Sequence, residues 1–416
     1  MWKRWRIRIL LFTAVLGPGF ITANVDNDSG GIFTYSQAGA QYGYTLLWTM
    51  LPITIALIVV QEMCARMGVV TGKGLSDLIR EEFGLRVTVV LMVLLVVVNY
   101  TNVVTEFIGI AGSLHLFHIS KFISVPLCAL LVWALVIRGD YKSTEKIFLV
   151  ASLVYIAYIF AGVLSQPSWH DALWATVKLP AKSVWHDKAY IYMAIGIVGT
   201  TIAPWMQFYL QSSIVEKGIR VKDYAASRLD VIIGSFFTDI VAWFIVVACA
   251  ATLFTHGLGA IQIAADAAEA MRPLAGDYAF ILFAFGLFNA SLFAASILPL
   301  STAYTVCEGL GVESGVDKSF KEAPFFYWLY TLLIAGGAIT VLALPDAQLI
   351  NVAILSQVLN GMLLPVIIIL MLILINRKDL MGEHKNSTLW NVIAWATSLI
   401  VIGLTLTMLW GMMPGH

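Results

Sequence analysis

The sequence predicts an all-α integral membrane protein of about eleven spans, built as two inverted five-helix repeats plus an eleventh helix, with helices 1 and 6 broken in mid-span. Three observations predict it. Of 416 residues, 60% are hydrophobic and 12% charged at a mean hydropathy of +0.86, whereas soluble domains carry about 25% charged residues. Apolar runs long enough to cross a bilayer fall at 5–42, 44–69, 87–114, 119–137, 144–165, 189–215, 228–255, 276–306, 324–344, 347–376 and 388–412. With a cytoplasmic N-terminus, only Lys121, Lys178, Lys182, Lys188 and Arg272 of the 25 basic residues lie outside. That bias follows the positive-inside rule and puts the C-terminus outside the cell. The whole chain, 1–416, reads as one transmembrane transport domain with repeats at about 5–165 and 189–376 and an extra helix at 388–412.

The first run contains GPGFITANVDNDSGGIFTYSQAGA at 17–40. The basic start of the chain resembles a signal peptide, but its apolar part runs straight into this helix and belongs to the first span. The cluster Asp26-Asn27-Asp28-Ser29-Gly30-Gly31 interrupts the helix at bilayer depth, where irregular backbone survives only against a protein cavity. An intramembrane carboxylate there marks a functional site. A surface loop between two short helices is the alternative, and 32–43 is too short to span alone.

Further along, GLSDLIREEFG at 74–84 reads as an amphipathic inside helix with Leu75, Leu78, Ile79 and Phe83 on one face. Outside, 165–188 carries three Trp suited to the interface, and 258–277 includes an Ala-rich short helix. Cys64, Cys128, Cys249 and Cys307 are scattered singly and read as small buried residues, not as a disulfide framework or thiolate site. Zero net charge gives no sign of a nucleic-acid partner. The partners expected are the lipid bilayer and a small ion. His115, His118 and His256 fall at outside ends of spans.

A second interruption lies in IYMAIGIVGTTIAPWMQFYLQSS at 191–213, where Pro204 removes an amide donor in mid-span. Breaks in the first and sixth of ten repeat helices are the sequence pointer to a transporter's midplane site. Unwound carbonyls and a carboxylate favour a hard cation. Asp28 is the first candidate ligand, with Asn24 one turn earlier. Asp26 points elsewhere on a continuing helix, as a second carboxylate or as a solvated neighbour. From the other half come the carbonyl at Ala203 and the side chain of Gln207. No Cys, His or Met sits within either break, so the site lacks the sulfur and imidazole that soft or borderline metals recruit. Oxygen ligands with small Gly30, Gly31 and Ala203 suit Mg2+, which keeps several of its waters.

These residues carry a family resemblance. The first-span segment resembles the first helix of the Nramp divalent-metal transporters, where GP, a D-P-G-N tetrad and Q-A-G recur at this spacing. AIGIVGTTIAPWMQFYLQSS is similar to their sixth helix with its M-P-H triplet, VVTEFIGIA to their third and LSQVLNGMLLPVI to their tenth. The resemblance covers nearly the whole chain and implies a LeuT-like fold and a monomer; the plasma membrane is the location expected for the chain.

The departures are specific. D-P-G-N becomes Asp28-Ser29-Gly30-Gly31, which keeps the aspartate and loses the asparagine. M-P-H becomes Ala203-Pro204-Trp205, without thioether or imidazole. Val103 replaces an acid three residues before Glu106, and Gln211 replaces a later histidine. Loss of several titratable groups together argues against a proton relay. The pattern looks like the Nramp-related magnesium transporter (NRMT) branch, described as moving hydrated Mg2+ or Mn2+ without proton coupling. The resemblance thus implies a divalent cation as transported substrate and no cofactor.

Other readings stay open on the residues. Gln357 and Asn360 bond the ion's water shell or glue helices. Glu106 is a paired structural acid or a remnant of a relay, and Ser29 and Trp205 flank the site. Asn99 and Asn102 bond across helices. Asp230 sits near the inner vestibule and Asp239 at a helix contact. Rival functions are a proton-coupled Mn2+ or Fe2+ symporter and an organic-solute symporter, which needs an acid-free helix N-terminus. An intramembrane enzyme would need a set such as HExxH, which is absent from the sequence.

Overall fold

The computed structural model describes residues 17–138, 155–257, 259, 261 and 264–412. All regular structure among them is helical. The first span is α1 (Pro18–Asn24), a 3-10 turn at Val25–Asn27 and α2 (Ser29–Tyr42). Then follow α3 (Met50–Thr71), α4 (Leu75–His115), α5 (Lys121–Arg138) and α6 (Ile156–Leu164). Across one face run α7 (Trp169–Val177) and a 3-10 turn, ahead of α8 (Lys188–Thr201) and α9 (Pro204–Glu216). The second half continues with α10 (Tyr224–Cys249), α11 (Ala264–Leu310), α12 (Pro324–Ala343) and α13 (Leu349–Ile375). A short α14 (Lys378–Met381) precedes α15 (Thr388–Met412).

Nine segments among the described residues are long and apolar enough to cross a membrane. The other two expected spans, at 5–42 and 144–165, lie partly outside the described residues, as do the basic residues before residue 17 and Lys142 and Lys146. The amphipathic helix expected at 74–84 is the first part of α4. It turns into the span at Gly84, whose φ of 80° is open to glycine at little cost. Leu75, Leu78 and Ile79 are buried as the pattern requires. The Ala-rich segment is not a separate short helix. It runs on into α11 without a break, as its helix propensity allows. The three Trp of the outside loop, Trp169, Trp174 and Trp185, are each well exposed. All four cysteines are buried thiols.

Packing puts the broken segments at the centre. α10 packs along α1, α2 and α3, α9 lies against α3 and α1, and α13 crosses α8 and α4. The α8–α13 crossing is close because a Cβ on Gly199 would run into the α13 backbone at Gln357 and Gly361. Small residues let membrane helices approach in this way. On the outside of the bundle α5 presents Phe122, Leu127, Leu130 and Leu131, each more than half exposed, as a lipid-facing surface.

The N-terminus of α1 is held by a carboxylate. Asp230 on α10 accepts from the amides of Gly17 (3.2 Å), Gly19 (2.7 Å) and Phe20 (3.2 Å). A negative group at a helix N-terminus satisfies orphan donors and complements the dipole. Asp230→Ala is expected to destabilise the protein by about 1–3 kcal/mol, since buried amides lose a charged acceptor. Asp230→Asn should cost less. Thermal unfolding of the detergent-purified variants measures the order; equal midpoints for all three proteins would contradict this role.

Candidate metal-ion site

Both interruptions are built by residues that take backbone amides out of the helical ladder. At the first, Asp28 is extended (φ −68°, ψ −178°) and caps α2, its Oδ1 accepting from the Gly31 amide at 2.7 Å. Glu106 on α4 accepts from the Ser29 amide at 3.2 Å and the Ser29 hydroxyl at 2.6 Å. In a continuous helix those two amides would serve the carbonyls of Asn27 and Val25. The carboxylates take both amides out of that pattern, and the chain at Val25–Asn27 tightens into a 3-10 turn. The expected opening at Ser29-Gly30-Gly31 is therefore narrower than the sequence suggests: these residues are the first turn of α2, and the non-helical residue is Asp28 itself.

At the second interruption only Ile202 (φ −125°, ψ 60°) and Ala203 (φ −67°, ψ 138°) leave the helix. Pro204 takes the first position of α9, where a missing amide costs nothing. For α8 the consequence is that Pro204 has no N–H to offer the Thr200 carbonyl one turn back. The carbonyl end of α8 and the amide end of α2 meet here. The Tyr35 hydroxyl bonds Thr201 Oγ1 at 2.7 Å, and a Cβ on Gly31 would stand 3.2 Å from Thr200 Oγ1. Facing helix ends of opposite polarity, one capped by a carboxylate, form a polar centre inside an apolar bundle.

The sequence candidates distribute as follows. Asp28, Gly31, Gln357 and the end of α8 are brought together. Gln357 lies on Gly30 so closely that a Cβ there would overlap its amide. Its Oε1 accepts from Asn360 at 2.9 Å, and Asn360 and Asn102 bond each other reciprocally at 3.0 Å. Asn360 thus holds Gln357 in place, and the amide of Asn102 ties α4 to α13. Asn99 bonds Thr302 on α11 at 2.9 Å. Asn24 is fully buried on α1; its Nδ2 donates to the Phe20 carbonyl at 2.7 Å and its Oδ1 has no partner.

On the other side, Gln207 donates to the Ala203 carbonyl at 3.1 Å, which also accepts the Met206 amide at 3.1 Å. The Ala203 carbonyl is thus occupied within its own turn and does not face the site unpaired. Trp205 is buried, and its ring lies 6.2 Å from that of Tyr209. Glu106 is paired with Ser29 through one oxygen, leaves Oε1 unpaired and sits beside Asp28. Val103 is buried against α12 near Gly337.

Asp26 is not a solvated neighbour. It is 1% exposed, and it faces Asp239 on α10, a residue read from sequence only as a helix contact. Nothing in the local sequence pairs the two, because the contact joins residues more than 200 positions apart. Among the described residues no three His, Cys, Asp or Glu converge as a metal cluster. Any ion here is therefore held by few charges, with carbonyl, amide and hydroxyl oxygens as the remaining ligands.

Residues 19–411 match the family model "Natural resistance-associated macrophage protein-like" (Nramp). The chain belongs to the Nramp family. It is 28% identical over 415 residues to the divalent metal cation transporter MntH of a Nostoc species, covering 96% of this chain and 92% of that one. With MntH of Burkholderia ambifaria it shares 25% over 418 residues, 97% and 90% of the two chains. Among solved structures, a mutant of the manganese transporter of Eremococcus coleocola superposes with a TM-score of 0.77 at 22% identity, covering 95% of this chain and 86% of that one. Mhp1, a nucleobase-cation-symport-1 family transporter, does so at 0.58 and 14% identity, over 94% and 92%. This Nramp chain therefore has the LeuT-like fold, and its named relatives are transporters, not enzymes.

Gly30→Ala tests how closely the site is packed. Alanine should favour the helix by up to about 1 kcal/mol, yet its methyl displaces the Gln357 amide. Cation uptake into proteoliposomes should fall by at least about tenfold, which is only about 1.4 kcal/mol, while the unfolding midpoint changes little. Undiminished uptake would mean that Gln357 does not border the ion's path.

Proposed function

We propose that this Nramp-family chain is a secondary transporter for uptake of divalent cations, chiefly hydrated Mg2+ and also Mn2+, working by alternating access without proton coupling, as in the NRMT branch. The observation that carries the reading is the ligand chemistry at the two interruptions. Asp28, the Asn27 and Thr200 carbonyls, which lose the amides one turn on to Asp28 capping and to Pro204, the unpaired Asn24 Oδ1 and the amide of Gln357 are all hard donors. Thioether and imidazole are missing where Ala203 and Trp205 stand. Such a set gives a soft metal no advantage and suits an ion that retains water.

Asp28 supplies the charge, Gly31 and Ala203 the width, and Gln207 and Gln357 amides that can exchange their protein partners for the ion's water shell. Uptake is driven by the ion's own gradient and the membrane potential, about 2.3 kcal/mol per charge per 100 mV. The lack of coupling rests on Val103, a buried hydrocarbon against α12 where a relay would need an acid one turn inward of Glu106. A proton-coupled Mn2+ or Fe2+ symporter is the second reading, favoured by the position of Glu106 beside Asp28. The chain is read as a monomer in the plasma membrane, N-terminus cytoplasmic and C-terminus extracellular, with no bound cofactor.

Proteoliposomes loaded with a Mg2+ dye and a pH dye separate the readings. Under an imposed potential, Mg2+ should enter with lumenal pH level, and Asp28→Ala should match protein-free vesicles. Entry of Mn2+ alone with lumenal acidification would establish the symporter instead. The double substitution Ala203→Met with Trp205→His, which restores the family triplet, should shift preference from Mg2+ toward Mn2+ and softer ions in competition uptake. An unchanged ratio would show that selectivity is set elsewhere.

A further inference from the structure

Beside the Asp28 site the structure buries two further aspartates. Asp26, in the 3-10 turn after α1, and Asp239, on α10, are 1% and 4% exposed, and none of their four carboxylate oxygens has a hydrogen-bond partner. The Asn27 side chain donates to the Thr238 hydroxyl (2.6 Å) and carbonyl (3.1 Å), which fixes the turn against α10 at the residues next to the two aspartates.

The hydroxyl facing Asp26 is that of Tyr35, which also lies 2.7 Å from Thr201 Oγ1. A further buried oxygen without a partner, Thr200 Oγ1, stands over Gly31 next to the Asp26 carbonyl. Asp28 and the hydroxyls of Thr54 and Tyr155 also lie near these acids. Buried carboxylates without counter-charges are costly by several kcal/mol each. A divalent cation removes that cost, because two carboxylates balance its charge and the surrounding oxygens are the donors a hard ion takes.

We infer that Asp26 and Asp239, with the Tyr35 oxygen, form a second divalent-cation position adjoining Asp28 on the α10 side of the first break. This rests on the divalent-cation reading of the Asp28 site. Asp26 and Asp28 are separated by a single residue of backbone. Asp26 and Asp28 share one strand of chain, whereas Asp239 belongs to α10. Relative movement of α1 and α10 would thus open or close the second position while leaving the first intact.

The test is Mn2+ binding to the detergent-solubilised full chain by equilibrium dialysis, with Asp28→Ala and Asp239→Asn compared with the parent. Two ions per parent chain, and one in each variant, are expected. A parent that binds a single ion overturns the second position whatever the variants do, as does an Asp239→Asn protein that still binds two. A parent that binds none removes the reading of the Asp28 site as well, which distinguishes the two failures. Anomalous scattering from Mn2+ in crystals of the parent needs no variant. It should give a peak between Asp26 and Asp239 separate from one at Asp28, and a lone peak at Asp28 would again reject the proposal.

Discussion

The diversion of two amides organises the centre of this molecule. A helix crossing a bilayer normally satisfies every carbonyl internally, since lipid offers no substitute. Here Asp28 takes the amide of Gly31 and Glu106 takes that of Ser29. The carbonyls left behind are tolerable only because they face a polar interior. Each carboxylate in turn is tolerable because it sits at the positive end of α2. Break, charge and carbonyls are therefore one arrangement, and none would be stable without the others.

The rest of the bundle holds that arrangement in register. Asp230 ties the start of α1 to α10, and Asn27 ties its end to the same helix at Thr238. Asn102, Asn360 and Gln357 join α4 and α13 over the first turn of α2. At the cytoplasmic end expected from the charge pattern, Gln211 donates to the Lys73 carbonyl at 2.8 Å and Arg66 pairs with Glu62 at 3.0 Å. Glu62 also accepts from Tyr224. These contacts link α3, α9 and α10 by polar bonds of about 1 kcal/mol each. Bonds of that size hold a resting state yet can be exchanged during a conformational change.

What the sequence made legible follows the range over which each signal acts. Hydropathy and the placement of Pro204 act within one or two turns, and both breaks were found from them. The extent of the first break was misjudged because Gly30 and Gly31 look like breakers, whereas Asp28 caps them into a helix. The occupied Ala203 carbonyl was invisible for a similar reason: Gln207 reads as a ligand one turn on, and the same spacing lets it fold back. Asp239 was missed because its meaning lies in Asp26, a contact that only the packing of α10 against the first span creates.

The substitutions that distinguish this chain from the family pattern make physical sense together. Ala203, Trp205, Val103 and Gln211 each remove a sulfur or a titratable group, while Asp26 and Asp239 are buried acids at the first break and on α10. A soft ligand earns its advantage by displacing water from the metal; a cavity of carboxylates, carbonyls and amides does so poorly for a strongly hydrated ion. In the proposed cycle the amides of Gln207 and Gln357 stand where the ion's waters would come, bonded to Ala203 and to Asn360 and Asn102. Each such bond is worth about 1 kcal/mol net, well below the cost of stripping Mg2+. Exchange of protein partners for hydration water is thus the less costly route, and under the proposed reading selectivity for a hydrated ion would follow from how loosely these amides are held.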